Sequence, residues 1–326
     1  MTEIPPIQEK IIDRKNITEG SILGVLTLGL MFLAAASFTW AIFADAAAPV
    51  PAVQVAAAEA SQEKAPAVDY FSDITLQAHS AIVVDTTTGR ILYAHNPDVQ
   101  LPLASLTKVP LVLSVAEALP TDAVITMPDG VPQLTAGTRW KISDIIDFTL
   151  AISSNEGADV LAEAANESIR MQFPAAPAEN ATLWRMNQLV RQLGLTHTYF
   201  LNDNGLDEST TQSGAYGTAR DMAVLFSYAA STTPQTFAAT TKQSFSIESI
   251  NGTRATAINT DDALPAIPAI IMGKTGYTDL AGGNLAIVFD SNEHRIVAVV
   301  LGSTQTGRFD DMVTLVGRTK EAVAAK

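Results

Sequence analysis

A serine and a lysine three residues apart, Ser105 and Lys108, are the first residues whose types and spacing could do chemistry. On a helix, positions i and i+3 lie on one face, so the amine could hydrogen-bond the hydroxyl. Lys108 could then take the proton of Ser105 and supply the activated nucleophile that acyl transfer needs. Pro102 and Pro110 favour a helix that begins near Ser105, because proline is tolerated only in a first turn. Free N–H groups at that helix start would stabilise an oxyanion.

The spacing of Ser105 and Lys108 does not by itself identify a nucleophile and its base, because a helix-capping serine and a solvated lysine can have the same spacing. A second group of polar residues supports the catalytic interpretation. Ser153-Ser154-Asn155 offers a hydroxyl and a carboxamide after an apolar run. Close to Ser105, these side chains could relay a proton and hold a substrate amide. A polar junction between two helices is the alternative interpretation.

Lys274-Thr275-Gly276 is the third group, and it lies in a segment that otherwise has the pattern of a strand. A glycine there would let a ligand backbone approach closely. The threonine hydroxyl and the lysine ammonium could hold a carboxylate. Taken alone, the tripeptide is equally consistent with a turn.

Strand patterns at both ends of the folded region, with helical patterns between them, predict an α+β fold. Strands are predicted at 80–85, 90–94, 270–278, 284–289 and 296–301. Apolar residues at helical spacing predict helices at 102–119, 142–165, 181–193, 218–230 and 309–324. We therefore expect a mostly antiparallel sheet flanked by helices, with a helical insertion over residues 120–235.

The residues before this region have the pattern of a membrane anchor and a spacer. Residues 1–20 are polar, and the uncharged run 21–44 is long enough to cross a bilayer as one transmembrane helix. The basic residues before the run predict a cytoplasmic N-terminus, which places the rest of the chain on the extracytoplasmic side of the cell membrane. A cleaved signal peptide is the alternative, although cleavable apolar regions are usually shorter, about 7–15 residues. The Ala/Pro-rich stretch 45–69 is interpreted as a linker to a folded domain at 70–326.

Composition excludes several classes of function. The formal net charge is −14, so we expect no nucleic-acid partner, because phosphate binding needs a basic surface. The chain has no cysteine, which excludes disulfides and thiolate chemistry. Its four histidines are widely separated and lack metal-ligand spacing, so no metal site is predicted.

The three groups occur in the order Ser-x-x-Lys, Ser-x-Asn and Lys-Thr-Gly, and this set resembles that of the penicillin-recognising serine acyl transferases. The closer resemblance is to the low-molecular-weight penicillin-binding proteins, which are serine D-alanyl-D-alanine carboxypeptidases. It covers the chain from about residue 80 to the C-terminus, and includes segments 101–108, 153–158, 186–221 and 274–282. It implies a DD-peptidase/β-lactamase-like fold.

The resemblance also implies a mechanism. Ser105 would attack the penultimate D-alanine of a peptidoglycan stem peptide ending in D-Ala-D-Ala, with Lys108 as general base. Burial and the charge of Lys274 would both lower the pKa of Lys108. Ser153 would relay a proton to the leaving D-alanine, and water would then hydrolyse the acyl-enzyme. No metal or organic cofactor is implied, and β-lactam antibiotics would be covalent inhibitors.

The remaining site residues expected from the resemblance bind the substrate. Asn155 would orient the peptide, and the backbone amides of Ser105 and Tyr277 would form the oxyanion hole. The remaining substrate-binding residues lie at or near the terminal carboxylate; they are Lys274, Thr275, Gly276 and Arg308. An exposed arginine at a helix start is the ordinary alternative for the last of these.

Several segments depart from the family pattern. Val109-Pro110 replaces two bulky apolar residues, which predicts a local adjustment of the helix, and Glu156-Gly157 replaces a more usual Asp-Ala. The final predicted helix leaves no room for the separate C-terminal β-domain and amphipathic helix of many relatives, so the N-terminal run is expected to be the anchor.

Three alternatives stay open from the sequence. A D,D-endopeptidase has the same motifs. A class A β-lactamase also needs a deacylating glutamate on a loop. Glu163, Glu167 and Glu179 lie in the appropriate region, but no segment there matches the loop of that family. A non-catalytic wall-binding module could keep the fold, although the intact motifs argue against this.

Two smaller motifs have simpler interpretations. Asn202-Asp203-Asn204-Gly205 has an incomplete calcium-ligand spacing, and a turn with the glycine at positive φ is favoured. The pair Asp310-Asp311 is expected to cap the final helix.

Overall fold

The structure is a computed structural model, and it describes residues 69–325. The cytoplasmic segment, the apolar run at 21–44 and nearly all of the linker predicted from the sequence lie outside these residues. Within 69–325, no helix combines the length and the apolar character that a membrane span requires.

The described residues form strands and helices in a mixed order. The strands are β1 (Ser80–Asp85), β2 (Arg90–His95), β3 (Leu101–Pro102), β4 (Val124–Thr126), β5 (Arg139–Lys141), β6 (Tyr199–Phe200), β7 (Ala215–Gly217), β8 (Ser244–Glu248), β9 (Arg254–Ile258), β10 (Ile270–Thr278), β11 (Gly282–Ser291) and β12 (His294–Ser303). The α-helices are α1 (Lys108–Ala118), α2 (Ile142–Ile152), α3 (Asn155–Gln172), α4 (Ala181–Gln192), α5 (Ala219–Thr232) and α6 (Gly307–Ala324). Short 3₁₀ helices lie at Ala104–Thr107, Pro234–Thr241 and Leu264–Ala266.

The main sheet has five antiparallel strands in the order β10-β11-β12-β1-β2. Successive side chains of a strand point to opposite faces, and both faces are covered here. Ile296, Ala298 and Val300 of β12 pack with α6 residues, whereas the alternate residues of the same strand join the larger core that includes α1 and α5. This explains why the predicted strands are almost uninterrupted apolar runs.

Not all of the segment 120–235, which was predicted as a helical insertion, is separate from the main sheet. Helix α5 lies against β1, β11 and β12 and so covers one face of the sheet. The insertion also contains the short strand pairs β4–β5 and β6–β7. The hairpin β8–β9 after it was not predicted, because its strands are short and consist mainly of small and polar residues.

The helical pattern predicted over 142–165 is two helices, α2 and α3, with a break between them. Ser153 ends α2 in the left-handed conformation, with φ 61° and ψ 37°. Ser154 then caps α3, because its hydroxyl accepts a hydrogen bond from the amide of Gly157 at 2.9 Å. The break places the second motif at the junction.

The two acidic residues at the start of α6 were both predicted to cap the helix, but only the first has a position that fits this prediction. Asp310 lies in the first turn, where its negative charge interacts favourably with the positive end of the helix dipole. Asp311 is buried, and its carboxylate accepts hydrogen bonds from the amides of Gln77 and Ala78 and from the Ser303 hydroxyl. Asp311 therefore fixes the segment before β1 to the sheet instead of capping the helix.

Candidate active site

The nucleophile candidate Ser105 lies in the 3₁₀ turn Ala104–Thr107, directly before α1. Ala104 precedes it with a φ of 48°, which is unusual for a residue other than glycine. Pro110 is the third residue of α1. The first amides of a helix have no intrahelical acceptor, so proline at this position costs no hydrogen bond.

Lys108 uses all three of its protons in hydrogen bonds. Its Nζ donates to Ser105 Oγ at 3.0 Å, to Asn155 Oδ1 at 2.8 Å and to the carbonyl oxygen of Asn204 at 2.7 Å. The side chain is 0% exposed. A lysine ammonium has three donors and no acceptor, so this set of partners fixes the amine against the nucleophile.

Burial is the main electrostatic influence on Lys108. It lowers the pKa of the amine to about 7, while the carboxylates of Asp159 and Glu156 act in the opposite direction. A general base works best with a pKa near the operating pH. A substantial fraction of Lys108 is therefore neutral at pH 7 and able to accept the proton of Ser105.

Lys274 joins the second and third motifs. Its Nζ donates to Ser153 Oγ at 2.8 Å and to the carbonyl oxygen of Thr275 at 2.9 Å. Burial lowers the pKa of Lys274 well below its ordinary value, and the charges of Lys108 and Arg308 lower it further. The repulsion between the two lysines, which the sequence assigned to Lys108, therefore lowers the pKa of Lys274.

The relay expected of Ser153 is not made by a direct contact. Within residues 69–325, no hydrogen bond joins Ser153 to Ser105 or to Lys108. The site instead consists of two bonded groups, one around Lys108 and one around Lys274. Asn155 belongs to the first, because its Oδ1 is held by Lys108.

Gly276 is required by the protein's own backbone. A Cβ at this position would lie 3.0 Å from the carbonyl oxygen of Leu103 and 3.1 Å from the amide nitrogen of Ser105. The strand β10 thus packs directly against the turn that carries the nucleophile. The sequence pattern predicts a different role for this glycine, the close approach of a ligand backbone. Tyr277 follows at the open end of the strand, 43% exposed.

Arg308 is part of the site and is not the exposed helix-start residue that the sequence left as an alternative. It is 7% exposed, and its Nη1 donates to the carbonyl oxygen of Gly276 at 2.7 Å. Its guanidinium carbon lies 4.6 Å from the centroid of the Phe309 ring. Arg308 is therefore held at the Lys-Thr-Gly strand by a backbone contact and by its neighbour's ring.

The loop at 202–206 belongs to the site, although none of the three motifs includes it. The Asn204 carbonyl accepts from Lys108, and the Asn204 side chain donates to Asp159 at 2.8 Å. Gly205 has a φ of 83°, as the turn interpretation predicted, and an added Cβ would lie close to the Ala104 carbonyl oxygen. The turn signal was visible in the sequence, but its contact with the nucleophile segment was not.

The segment at 259–263 is a second unassigned component. The Thr260 hydroxyl hydrogen-bonds that of Thr275, and the Thr260 amide donates to the Ala151 carbonyl at 3.0 Å. Asp261 follows, buried, with its Oδ1 accepting from the Ala263 amide at 3.0 Å. No short motif in the sequence indicated these contacts.

The three glutamates considered for a β-lactamase lie away from these contacts. Glu163, Glu167 and Glu179 are exposed, and none of them hydrogen-bonds a motif residue. Glu163 instead accepts from the Asn166 side chain at 2.9 Å. Asp159 is linked to the Lys108 group through the side chain of Asn204.

Comparison with known proteins places this arrangement in a family. The sequence pattern of the D-alanyl-D-alanine carboxypeptidase family matches residues 62–305. The D-alanyl-D-alanine carboxypeptidase DacF of Bacillus subtilis is 26% identical over 255 residues, which are 74% of this chain and 62% of the relative. The chain thus spans less than two thirds of that relative's length.

Solved structures have the same fold. The crystal structure of D-alanyl-D-alanine carboxypeptidase from Mycobacterium tuberculosis is 26% identical, with a TM-score of 0.64 over 76% of this chain and 92% of that one. Penicillin-binding protein D2 from Listeria monocytogenes, solved in its ampicillin-bound form, is 25% identical, with a TM-score of 0.63 over 76% of this chain and 98% of that one.

These structures confirm the α+β, DD-peptidase-like fold that the motif set predicted. The family pattern covers well over half of the sequence. The chain therefore belongs to the D-alanyl-D-alanine carboxypeptidase family.

Proposed function

We propose that this protein is a membrane-anchored serine D-Ala-D-Ala carboxypeptidase that trims peptidoglycan stem peptides through an acyl-enzyme on Ser105. The observation that carries the proposal is the contact between the fully buried amine of Lys108 and the Ser105 hydroxyl at 3.0 Å. A neutral amine held there is a general base for a serine nucleophile.

The first step forms an ester and breaks an amide. Ser105 Oγ bonds to the carbonyl carbon of the penultimate D-alanine as Lys108 takes the hydroxyl proton. The resulting oxyanion accepts hydrogen bonds from the amides of Ser105 and Tyr277. The close packing of Gly276, which precedes Tyr277, against the Ser105 backbone supports this assignment. The C–N bond then breaks, and Lys108 returns the proton to the leaving nitrogen, so that the terminal D-alanine departs as a neutral amine and Lys108 is again a base.

The second step hydrolyses the acyl-enzyme and regenerates the free enzyme. Water attacks the ester carbonyl, Lys108 removes a proton from that water, and the Ser105 oxygen leaves with a proton. Donors around the third motif hold the terminal carboxylate of the substrate before the first step; they are the Thr275 hydroxyl, Lys274 and Arg308. Asn155 keeps its side-chain Nδ2 for a substrate carbonyl, because its Oδ1 is bound to Lys108.

β-Lactams are proposed as covalent inhibitors of the same serine. The ampicillin-bound form of the Listeria penicillin-binding protein D2 supports this proposal. Attack of Ser105 on the lactam carbonyl opens the ring, and the amine stays tethered to the acyl group.

Membrane attachment is supported by the sequence alone. The uncharged run 21–44 follows a segment with three basic residues, which favours an extracytoplasmic catalytic domain. Protease treatment of intact and lysed cells tests this. Digestion of the domain in cells with a permeabilised outer layer but an intact inner membrane supports the orientation, and protection until lysis contradicts it.

The activity is tested with the detergent-solubilised full chain and a diacyl-L-Lys-D-Ala-D-Ala peptide. We expect release of one D-alanine per peptide and its loss in Ser105→Ala, with the fold of that variant checked by circular dichroism. Cleavage only of cross-linked peptides would instead indicate an endopeptidase. Rapid, repeated nitrocefin turnover would indicate a β-lactamase.

A further inference from the structure

The hydroxyl of Thr275, in the third motif, has one hydrogen-bond partner within residues 69–325, and that partner lies outside all three motifs. The Thr275 side chain is buried, and its Oγ1 lies 2.5 Å from the Oγ1 of Thr260. A hydroxyl has one proton and rotates to suit the groups around it. The direction of the Thr275 proton is therefore set by Thr260.

Thr260 is held from its other side by the end of helix α2. Its amide donates to the carbonyl oxygen of Ala151 at 3.0 Å. Ala151 lies in the last turn of α2, where carbonyl oxygens have no donor within the helix. Ser153 of the second motif follows two residues later. Thr260 thus joins the second motif to the third, through its backbone on one side and its hydroxyl on the other.

The Thr260 hydroxyl has two acceptors within reach of its single proton. One is the Thr275 Oγ1 at 2.5 Å, and the other is the Ala151 carbonyl oxygen at 3.4 Å. Hydrogen bonds between oxygens are usually about 2.5–3.0 Å long, so the contact with Ala151 is weak. Donation to Thr275 is therefore favoured, and it leaves the proton of Thr275 for an acceptor that the protein does not supply.

We propose that Thr260 is a positioning residue of the active site, which orients the Thr275 hydroxyl as a donor to the carboxylate of the substrate or of a penicillin. The inference rests on the proposed function, which assigns the Thr275 hydroxyl to that carboxylate. Thr260 donates its proton to Thr275, and Thr275 donates its own to the ligand. Linked hydrogen bonds polarise one another, so the bond from Thr260 strengthens the one to the carboxylate. Thr260 itself touches no substrate.

Loss of the Thr260 hydroxyl has a defined consequence. In Thr260→Ala, the amide bond to Ala151 remains, but the Thr275 hydroxyl loses its donor and its fixed direction. Carboxylate binding then weakens about tenfold, which corresponds to the loss of one hydrogen bond of ordinary strength. The loss appears in KM for a D-Ala-D-Ala peptide. The value of kcat changes little, because Ser105 and Lys108 keep their contact.

The experiment compares Thr260→Ala with Thr260→Ser, which keeps a hydroxyl, and with Thr256→Ala as the matched control. Thr256 is exposed on β9, and its hydroxyl also pairs with another hydroxyl, that of Ser246, at 3.3 Å. Acylation of the detergent-solubilised full chain by a fluorescent penicillin is measured, with KM and kcat for the peptide. We expect acylation about tenfold slower in Thr260→Ala and close to wild type in the other two variants. Wild-type acylation and KM in Thr260→Ala, or an equal loss in Thr260→Ser, overturn the inference.

A double-mutant cycle separates this role from a general loss of structure. In a Thr275→Ala background, the hydroxyl that Thr260 orients is absent, so Thr260→Ala should have no further effect on acylation. Losses that multiply, or a fall in kcat with KM unchanged, contradict the proposal. Circular dichroism of each variant checks the fold. A wild-type chain that no penicillin labels would refute the proposed function and with it this inference, whereas a labelled wild type matched by Thr260→Ala refutes this inference alone.

Discussion

The Lys274 ammonium donates to Ser153 Oγ at 2.8 Å across a chain separation of 121 residues. This bond joins the strand of the third motif to the junction between α2 and α3. Ser153 holds its end of the bond from a left-handed backbone conformation, with φ 61°. Non-glycine residues in this region are strained by about 1–3 kcal/mol, and such strain persists where the surrounding structure requires it.

Replacing Ser153 separates the strain from the hydrogen bond. Ser153→Gly removes the hydroxyl and relieves the backbone, whereas Ser153→Ala removes the hydroxyl and keeps the strain. We expect Ser153→Gly to be more stable than Ser153→Ala by about 1 kcal/mol. Both should acylate about a hundredfold more slowly than wild type, because the Lys274 ammonium loses the hydroxyl that holds it in the site.

Urea unfolding and the rate of acylation by a fluorescent penicillin check these two effects. Equal stability of the two variants would mean that the left-handed conformation is not strained. Wild-type acylation in either variant would show that the Ser153 hydroxyl has no catalytic role.

The sequence predicted the elements that local patterns determine. The strand at 270–278 and the helix cap at Thr218 are found as expected, and the cap hydroxyl accepts from the Asp221 amide at 3.0 Å. Short apolar runs and capping chemistry act over a few residues, so they can be recognised without the fold. The motif residues themselves were recognised by resemblance.

The sequence did not predict contacts that depend on chain topology. The apolar spacing of α2 continues into α3, so periodicity could not locate the break at Ser153. Asn204 reaches Lys108 through a backbone carbonyl, across 96 residues, and any residue type has such a carbonyl. Thr260 meets the Thr275 hydroxyl only because its segment packs beside β10.

The contact between Gly276 and the nucleophile turn predicts a loss of activity with a stable fold. In Gly276→Ala, the new Cβ would lie 3.0 Å from the Leu103 carbonyl oxygen and 3.1 Å from the Ser105 amide. The turn must shift by a few tenths of an ångström, which displaces Ser105 from its aligned position. We expect the rate of acylation to fall about a hundredfold, because small displacements of reacting groups can slow a reaction by that factor.

Gly317→Ala is the matched control, because an added Cβ there meets no atom within 4 Å and Gly317 lies on α6. It should retain full acylation and gain about 0.5–1 kcal/mol of stability from the better helix former. Full activity in Gly276→Ala would show that the nucleophile turn does not depend on this contact.

Gly157 occupies a position where the family usually has alanine, and its surroundings predict that the stability effects of substitutions at Gly157 and Thr149 are not additive. A Cβ on Gly157 would clash with the Thr149 Oγ1, which is buried and has no hydrogen-bond partner among the described residues. Gly157→Ala should therefore cost about 1–3 kcal/mol in the wild-type background. In a Thr149→Ala background, the same change should cost less, because the clash with the Thr149 Oγ1 is gone and only the contacts with Ser154 Cβ and Oγ at 3.1 Å remain. Chemical unfolding of the four proteins measures the coupling, and additive effects would contradict the clash.

Asp159 predicts the position of the acidic limb of the pH profile. In wild type, burial gives Lys108 a pKa of about 7, and the Asp159 charge opposes that lowering. Acylation should therefore rise with pH through about 7, as the amine loses its proton and becomes a base. Asp159→Asn removes the opposing charge, so the pKa of Lys108 falls and this limb moves to lower pH.

Glu163→Gln tests whether any lost negative charge on α3 has the same effect. Glu163 lies one turn beyond Asp159, is exposed, and makes no contact with the Lys108 group. We expect its profile to match wild type, whereas Lys108→Arg should be inactive at every pH because a guanidinium does not release its proton. An acidic limb that stays in place in Asp159→Asn, or activity in Lys108→Arg, would exclude the neutral lysine as the base that activates Ser105.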